Sequence, residues 1–218
     1  MTTVVSICNL ALGRIGVSQY IESIDDPNTN ARSCKQFYDL CRQQVLQDFP
    51  WNFARGVVAL AELADDPPPG WGYVYRYPTD CLQARAISDE SGVRSSTWNT
   101  RQFLSWDQWA ATIPRRQSWQ VMGDTNQPGA RIIITDIPEA FLWYTVDVDQ
   151  VNQFTPLFAS ALAWKLAFEL CGAIKADARL RDAAAQQYEF EKSKAAANSM
   201  NEETPDPAPD SPSILARL

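Results

Sequence analysis

The sequence predicts an α+β protein with a helical bundle core of N-terminal and C-terminal helices, an inserted antiparallel β domain and an extended C-terminal tail. Two observations support this class. Apolar residues recur at steps of three and four near both ends of the chain, and every second residue is aromatic from Trp71 to Tyr77. We therefore divide the chain into N-terminal helices (1–54), a mainly β insertion (55–150), C-terminal helices (151–200) and an acidic, proline-rich tail (201–218).

Two helices are predicted in the N-terminal part. Residues 4–15 carry one apolar stripe, and Gly16 follows where a helix C-cap is expected. The second helix should begin at Pro27, a favoured first helical residue, and end before Pro50. Its apolar positions form a stripe along the whole segment. Both helices should bury one face against the rest of the core.

The middle of the chain has the alternation and turn residues of β-strands. Residues 88–100 are polar and predict a loop, whereas residues 103–113 fit neither helix nor strand clearly. Six segments are predicted as strands, at residues 57–61, 71–77, 81–87, 118–122, 130–135 and 141–146.

The helical pattern returns at Pro156, which Thr155 can cap. The helix that follows runs to Gly172 and is apolar almost all round, which predicts burial on several sides. A second helix is predicted over residues 177–199. Its apolar stripe is thin and consists of Leu180, Ala184, Tyr188 and Ala195.

Composition opposes an enzyme and a DNA-coating protein. The chain has no His, the commonest general base and metal ligand, and its five Cys form no CxxC pair. We therefore predict no catalytic residue, cofactor or metal, and reduced, buried thiols. A net charge of −7 opposes tight binding to phosphates but lets DNA pass nearby.

The sequence also shows no membrane or export signal. Its start lacks the positive n-region of a secretory signal, and no apolar run approaches the ~18 residues of a membrane helix. We therefore expect synthesis in a cytosol and no membrane partner.

The C-terminal tail joins an acidic, proline-rich tether to an apolar end. Four acids and four prolines in residues 202–212 cannot form a core. A solvated terminus is one interpretation. Docking on another subunit or partner is the one we favour, because apolar residues follow the tether. The predicted docking residues are Pro205, Pro207, Pro209, Pro212, Ile214, Leu215 and Leu218.

Large aromatic residues are abundant, with 8 Trp, 7 Tyr and 9 Phe. Most should lie in the core, and some should be left for contacts between subunits. The basic doublet 115–116 either touches a phosphate or an acidic partner, or is a solvated loop pair, which is the interpretation we favour. The candidate subunit or tail contacts are Trp71, Trp106, Trp109, Arg115, Arg116 and Tyr188.

Several blocks of sequence occur in a characteristic order. They are residues 9–16 (NLALGRIG), 50–54 (PWNFA), 75–82 (YRYPTDCL) and 158–167 (FASALAWKLA), with Cys34, Tyr38 and Arg42 between the first two. In this order and spacing they resemble bacteriophage head-to-tail connector and adaptor proteins, including the tail tubular protein A group of short-tailed phages.

The resemblance implies a structural virion protein that forms a homo-oligomeric ring, usually a twelve-fold dodecamer, under the capsid portal. Such a ring continues the channel used in DNA ejection and carries the tail. The implied partners are further copies of the chain, the portal protein and tail nozzle or tail fibre proteins, with DNA only in transit. The implied location is the head–tail junction of the virion, after synthesis in the host bacterial cytoplasm.

Two other functions are compatible with the sequence. One is a neck or completion protein of a long-tailed phage or prophage. The other, from a different class, is a small ligand-binding or enzymatic domain with an aromatic pocket around Trp71, Trp106 and Trp109.

Overall fold

A computed structural model describes residues 2–89 and 118–202. The predictions for residues 90–117 and for the tail beyond Glu202 lie outside the described residues. The described part combines helices with two antiparallel sheets, so the α+β class is confirmed. In chain order its elements are α1 (Val4–Arg14), α2 (Thr29–Asp48), β1 (Arg55–Ala59), β2 (Tyr73–Arg76), β3 (Cys81–Ser88), β4 (Trp119–Gly123), β5 (Arg131–Thr135), β6 (Phe141–Val146), α3 (Pro156–Leu170) and α4 (Ala178–Asn201).

Helix α1 has a defined start and end. Thr3 and Ser6 form a reciprocal capping box in which each side chain accepts a hydrogen bond from the other residue's backbone N–H. Gly16 ends the helix with a φ of +71°, in the left-handed region that glycine adopts at little cost. The N–H of Val17 then bonds to the carbonyl of Leu12 at 3.0 Å. The prediction for this helix is confirmed.

Helix α2 begins at Thr29, so the predicted start at Pro27 is wrong. The Asp26 carboxylate accepts hydrogen bonds from the N–H groups of the two residues Glu22 and Ser23, which stabilises a turn instead of a helix start. Asn28 provides the cap, and its side chain accepts from the N–H of Ala31 at 2.8 Å. The predicted end is correct, since the last helical residue is Asp48.

The described strands form two three-stranded antiparallel sheets. Sheet A has the order β1–β6–β3, and sheet B has the order β2–β5–β4. The central strand of each sheet carries its most buried residues, Leu142 in β6 and the pair Ile133 and Ile134 in β5. The strands of the two sheets are interleaved along the chain, and in each sheet the central strand comes later in the sequence than both edge strands.

Each predicted strand segment overlaps an observed strand, with boundaries that differ by up to two residues. Trp71 lies outside β2, which starts at Tyr73. The chain turns at Gly70, whose φ is +93°, and the N–H of Trp71 bonds to the carbonyl of Pro68 at 3.1 Å. The predicted strand start at Trp71 is therefore wrong, because a turn holds this residue.

Helix α3 lies between the other helices and is in contact with α1, α2 and α4. Thr155 caps it and Pro156 is its first residue, as predicted. By length and composition alone, Pro156–Lys175 is the one described segment that could cross a membrane, which corrects the expectation that no run is long enough. Packing against three helices explains its apolar character equally well.

The connection from α3 to α4 is short and specific. Cys171–Lys175 forms a single π-helical turn, and Ala176 follows in the left-handed region with a φ of 50°. Asp177 then caps α4, accepting from the N–H groups of Arg179 and Leu180. Helix α4 therefore runs back along α3, and it buries only the narrow stripe Ala184, Tyr188, Ala195 and Ser199.

The described residues form two apolar cores. The larger one joins the four helices and the segment around Trp51. The smaller one fills the space between the two sheets and includes Tyr75, Ile133 and Leu142. Val146, at the end of β6, packs against both cores and so lies at the junction between the helices and the sheets.

Candidate functional site

A buried arginine joins the helices to sheet A. Arg42 of α2 is only 5% exposed, and its Nη1 donates to Asp147 Oδ1 at 2.5 Å and to the Val148 carbonyl at 2.6 Å. Gln43 donates to the other Asp147 oxygen at 2.9 Å. Asp147 directly follows β6, so this carboxylate fixes the end of the central strand to α2. The site is a structural joint, because both carboxylate oxygens of Asp147 accept hydrogen bonds from α2.

The segment at residues 50–54 forms an aromatic anchor in the helical core. The Trp51 indole N–H donates to the Val45 carbonyl at 2.7 Å, which satisfies the polar atom of a side chain only 1% exposed. The Trp51 ring packs edge-on against the Phe158 ring, with 5.1 Å between the centroids. The Phe53 ring packs against the same Phe158 ring at 4.9 Å. The two family-like blocks at residues 50–54 and 158–167 therefore contact each other directly.

Helix α4 is held at two points by the N-terminal part. The Tyr188 hydroxyl donates to the Asp48 carboxylate, and Lys192 lies 3.7 Å from the same group. Further along, the backbone N–H of Asn52 donates to the Ser199 hydroxyl at 3.2 Å, and the Asn52 side chain donates to the Ser199 carbonyl. These bonds attach α4 to the end of α2 and the start of the aromatic anchor.

The structure contradicts the prediction that Tyr188 contacts another subunit. It belongs to the helical core, where its ring is buried and its hydroxyl is already bonded to Asp48. Burial and this carboxylate raise the pKa of the Tyr188 phenol well above its usual range. A neighbouring molecule could reach this ring only if α4 were displaced.

The block at residues 75–82 connects the two sheets. The Tyr75 hydroxyl donates to the Ile137 carbonyl at 2.8 Å, across the core between the sheets. The Tyr144 hydroxyl donates to Asp80 at 3.0 Å, and burial together with this bond raises the Tyr144 pKa to about 12. This block therefore fixes the geometry of the sheets as the first blocks fix the geometry of the helices.

All five cysteines are buried free thiols, as their spacing predicted. Cys34 and Cys41 lie on the buried face of α2, and the hydrogen bond to Cys34 together with burial raises the pKa of Cys8 far above its usual range. Burial also raises the pKa of Cys41 to about 12. A raised pKa keeps the thiols of Cys8 and Cys41 protonated and inert, so they act as small apolar residues, whereas the hydrogen bond with Cys8 lowers the pKa of Cys34.

The adjacent carboxylates have local roles. Asp25 pairs with Lys35 at 2.6 Å on the surface, and Asp26 stabilises the turn before α2. Across residues 2–89 and 118–202, no three Cys, Asp or Glu side chains come close enough together to hold a metal ion.

The surface carries a few large apolar side chains without cover in the described part of the chain. Phe190 on α4 is the most exposed at 63%, followed by Tyr20 at 59%. The others are Leu10, Leu40, Val57, Val121 and Met122. Isolated apolar residues are normal on a surface, but Phe190 is an exposed aromatic on a helix with a narrow buried stripe, which makes this face of α4 a candidate contact surface.

Of the predicted contact residues, the structure describes only two. Trp71 is half-buried in the turn before β2 and keeps part of its ring accessible, whereas Tyr188 is internal. The aromatic pocket of Trp71, Trp106 and Trp109 and the contacts of the other residues stay predictions, because the remaining ones lie outside the described residues. They are Trp106, Trp109, Arg115, Arg116, Pro205, Pro207, Pro209, Pro212, Ile214, Leu215 and Leu218.

Sequence reasoning missed the partners at the joints. Arg42 and Asn52 belong to the blocks that carried the resemblance, but Asp147, Asp48 and Ser199 had no distinguishing signal. Each of these three meets its partner over more than 100 residues of chain. No protein-family model matches the chain, and no curated protein matches it.

Proposed function

We propose that this chain is a structural virion protein, a head-to-tail adaptor that forms a ring under the capsid portal and continues the DNA channel. We also propose the finer architecture, which is a helical bundle core that carries a β insertion and an extended tail for docking. The blocks of the family-like sequence motivate it, and their structural roles support it.

One observation carries most of the argument. The described residues of the family-like blocks make joints instead of an active site: Arg42 with Asp147, Trp51 with the Val45 carbonyl and Asn52 with Ser199. Residues that fix one element against another are what an assembly subunit requires, because its surfaces must keep a constant relative position in every copy.

Asn9 and Arg14 of the first block act in the same way. The Asn9 side chain accepts from the N–H of Ile21 at 2.9 Å and donates to its carbonyl at 2.8 Å, which fixes the connection after α1. Arg14 donates to the carbonyl and hydroxyl of Ser160 at 2.8 Å and stacks over Trp164 at 4.2 Å. The first and last blocks are thereby linked side chain to side chain.

The charge and the surface suit a ring through which DNA passes. A net charge of −7 gives no general attraction for phosphates. The exposed face of α4, with Phe190 at its centre, is available to another protein. The acidic tail can add a further attachment, and a weak contact gains avidity when it is repeated around a ring.

Co-purification with the portal tests this function. The chain is mixed with assembled rings of a phage portal protein, and the mass of the complex is measured by light scattering. We expect a complex that contains several copies of the chain for each portal ring. A chain that stays monomeric and never associates with the portal overturns the proposal, whereas a monomer in the absence of the portal does not.

A variant with Phe190→Ser sharpens the experiment. Phe190 makes little contact within its own chain, so the substitution should leave folding intact while weakening assembly. Leu10→Ser on α1 is a matched control, because it removes another exposed apolar side chain from a different helix.

A further inference from the structure

Two buried cysteines from different helices lie against each other in the helical core. Cys8 is in the middle of α1, Cys34 is near the start of α2, and both are completely buried. A side-chain hydrogen bond joins the two thiols. Because residues 9–33 separate them in the sequence, the fold creates this contact.

Small side chains let α1 and α2 approach each other closely near this pair. Ala11 lies one turn after Cys8 on the buried face of α1, and Ala31 lies one turn before Cys34 on the buried face of α2. Both alanines are completely buried in the same core as the two cysteines, and the two helices are in contact. A disulfide needs Cα atoms about 4.4–6.8 Å apart. Two helices that bury alanine and cysteine can come this close without displacing a larger side chain.

The other three cysteines lie in different surroundings. Cys41 is two turns further along α2, Cys81 packs in the core between the sheets, and Cys171 follows the last residue of α3. Among these five described cysteines, the thiol–thiol hydrogen bond joins Cys8 to Cys34. The fold therefore selects one pair out of the ten that five thiols allow.

The hydrogen bond gives the two thiols different reactivity. It lowers the pKa of Cys34, and together with burial it raises the pKa of Cys8. The thiolate is the nucleophile in disulfide exchange, so Cys34 reacts first. Once the Cys34 sulfur is bonded to another sulfur, it is no longer a thiolate that accepts from Cys8. The main cause of the raised Cys8 pKa is then removed, and Cys8 can react in turn.

We propose that Cys8 and Cys34 are a redox-sensitive pair that forms a disulfide between α1 and α2 in an oxidising medium. The oxidant is a low-molecular-weight disulfide such as oxidised glutathione. The Cys34 thiolate, whose proton has gone to solvent, attacks one sulfur of the oxidant, which forms a mixed disulfide and releases one thiolate. Cys8 gives its proton to that thiolate and attacks the Cys34 sulfur, which releases a second thiolate that takes up a proton from solvent. The two protein thiols lose two electrons, and the small disulfide is reduced to two thiols.

The disulfide acts as a lock on the helical core. Both thiols are completely buried, so exchange takes place from a locally opened state in which α1 separates from α2, and it is slow. A reducing cytosol keeps both thiols free, whereas an oxidising medium adds the cross-link and prevents that separation. The inference goes beyond the proposed function and does not depend on it, because the bond lies within the core of a single chain.

Oxidation of the full-length chain tests the pair. The reduced, native protein is incubated with excess oxidised glutathione, the remaining thiols are blocked with N-ethylmaleimide, and tryptic peptides are analysed by mass spectrometry. Trypsin separates Cys8, Cys34 and Cys41 into different peptides, which are residues 1–14, 33–35 and 36–42. We expect the cross-link between peptides 1–14 and 33–35 to be at least about tenfold more abundant than any other cysteine pair.

Thermal unfolding of the oxidised chain measures the lock. Its midpoint should lie about 5–10 °C above that of the reduced chain, and dithiothreitol should reverse the rise. Cys34→Ala should abolish both the cross-link and the rise. Cys41→Ala is the matched control, because it removes another buried thiol from the same face of α2 and should keep both.

Three results overturn the proposal. They are the absence of the cross-link from the native chain, a cross-link that is no more abundant in the native chain than in urea, and a midpoint that oxidation leaves unchanged or lowers. All three are measured on the unsubstituted chain, so a variant that fails to fold does not affect the test. None of them requires the portal, so the outcome is independent of portal association.

Discussion

Replacing Asp147 with Asn should destabilise the protein by disrupting the joint between α2 and sheet A. The carboxylate accepts from Arg42 at 2.5 Å and from Gln43 at 2.9 Å. An amide cannot balance the charge of Arg42, which is almost completely buried. The Val148 carbonyl remains as an acceptor, and Asp39 at 3.6 Å remains as a distant counter-charge.

The size of the effect follows from burial. Removing one partner of a fully buried ion pair costs about 3–5 kcal/mol. The Asp147 side chain is 32% exposed, so water screens part of the interaction. We therefore expect a loss of about 2 kcal/mol in the free energy of unfolding. Arg42→Met should cost less, because it removes the buried charge and leaves Asp147 solvated and bonded to Gln43.

Urea denaturation followed by circular dichroism measures these changes. The double variant Arg42→Met, Asp147→Asn should lose less than the sum of the single losses, by about 1 kcal/mol, because the two side chains act as a pair. Asp25→Asn is the control, since its partner Lys35 is exposed and the loss should stay below about 0.5 kcal/mol. Equal losses for Asp147→Asn and the control, or strict additivity, refute the reasoning.

Three further results are expected. Gly56→Ala should cost about 1–3 kcal/mol, because a Cβ there would lie 2.8 Å from the Tyr144 ring, whereas Gly123→Ala, with open space, should be near neutral in the same denaturation assay. Tyr188→Phe should cost about 1 kcal/mol through the lost bond to Asp48, and an unchanged denaturation midpoint would contradict that bond. Burial raises the Cys41 pKa to about 12. The contribution of the protonated Cys41 thiol to the free energy of unfolding is therefore complete below about pH 8.5, the usual thiol pKa, and is lost as pH rises towards 12. The free energy of unfolding should therefore fall by up to about 1.4 kcal/mol per pH unit for such a thiol, and Cys41→Ala should reduce that slope.

The helices were predictable because their ends carry local signals. Thr155 and Pro156 start α3, and Gly16 ends α1, as their residue types indicate. The start of α2 was wrong because two residues competed for the same role. Asp26 bonds to the turn before it, which leaves the cap to Asn28. A single sequence does not show which of two acceptors closes a turn and which one caps a helix.

The sheets were predictable as strands but not as pairs. Residues 130–135 are β-branched and bounded by turn residues, so the strand itself is evident. Its position between β2 and β4 depends on contacts between residues that are tens of positions apart in the sequence, and a local pattern does not reveal such contacts. The same reason explains why Asp147 and Asp48 were missed as joint residues, since each has its partner on a distant element.

Tyr188 shows where reasoning from a thin apolar stripe fails. The stripe Ala184, Tyr188 and Ala195 was read correctly as the apolar face of α4, but that face points into the molecule. The residue left for partners is Phe190, which lies off the stripe and was not singled out. Periodicity identifies a face, and only packing shows which side of the helix is covered.

Electron cryo-microscopy of the chain bound to its portal tests the adaptor function most directly. We expect a closed ring of copies coaxial with the portal, with a continuous channel along the axis and the exposed face of α4 at the contacts between copies. Particles in which the portal carries no added ring, or in which the chain binds as isolated copies away from the channel, would contradict the proposed function.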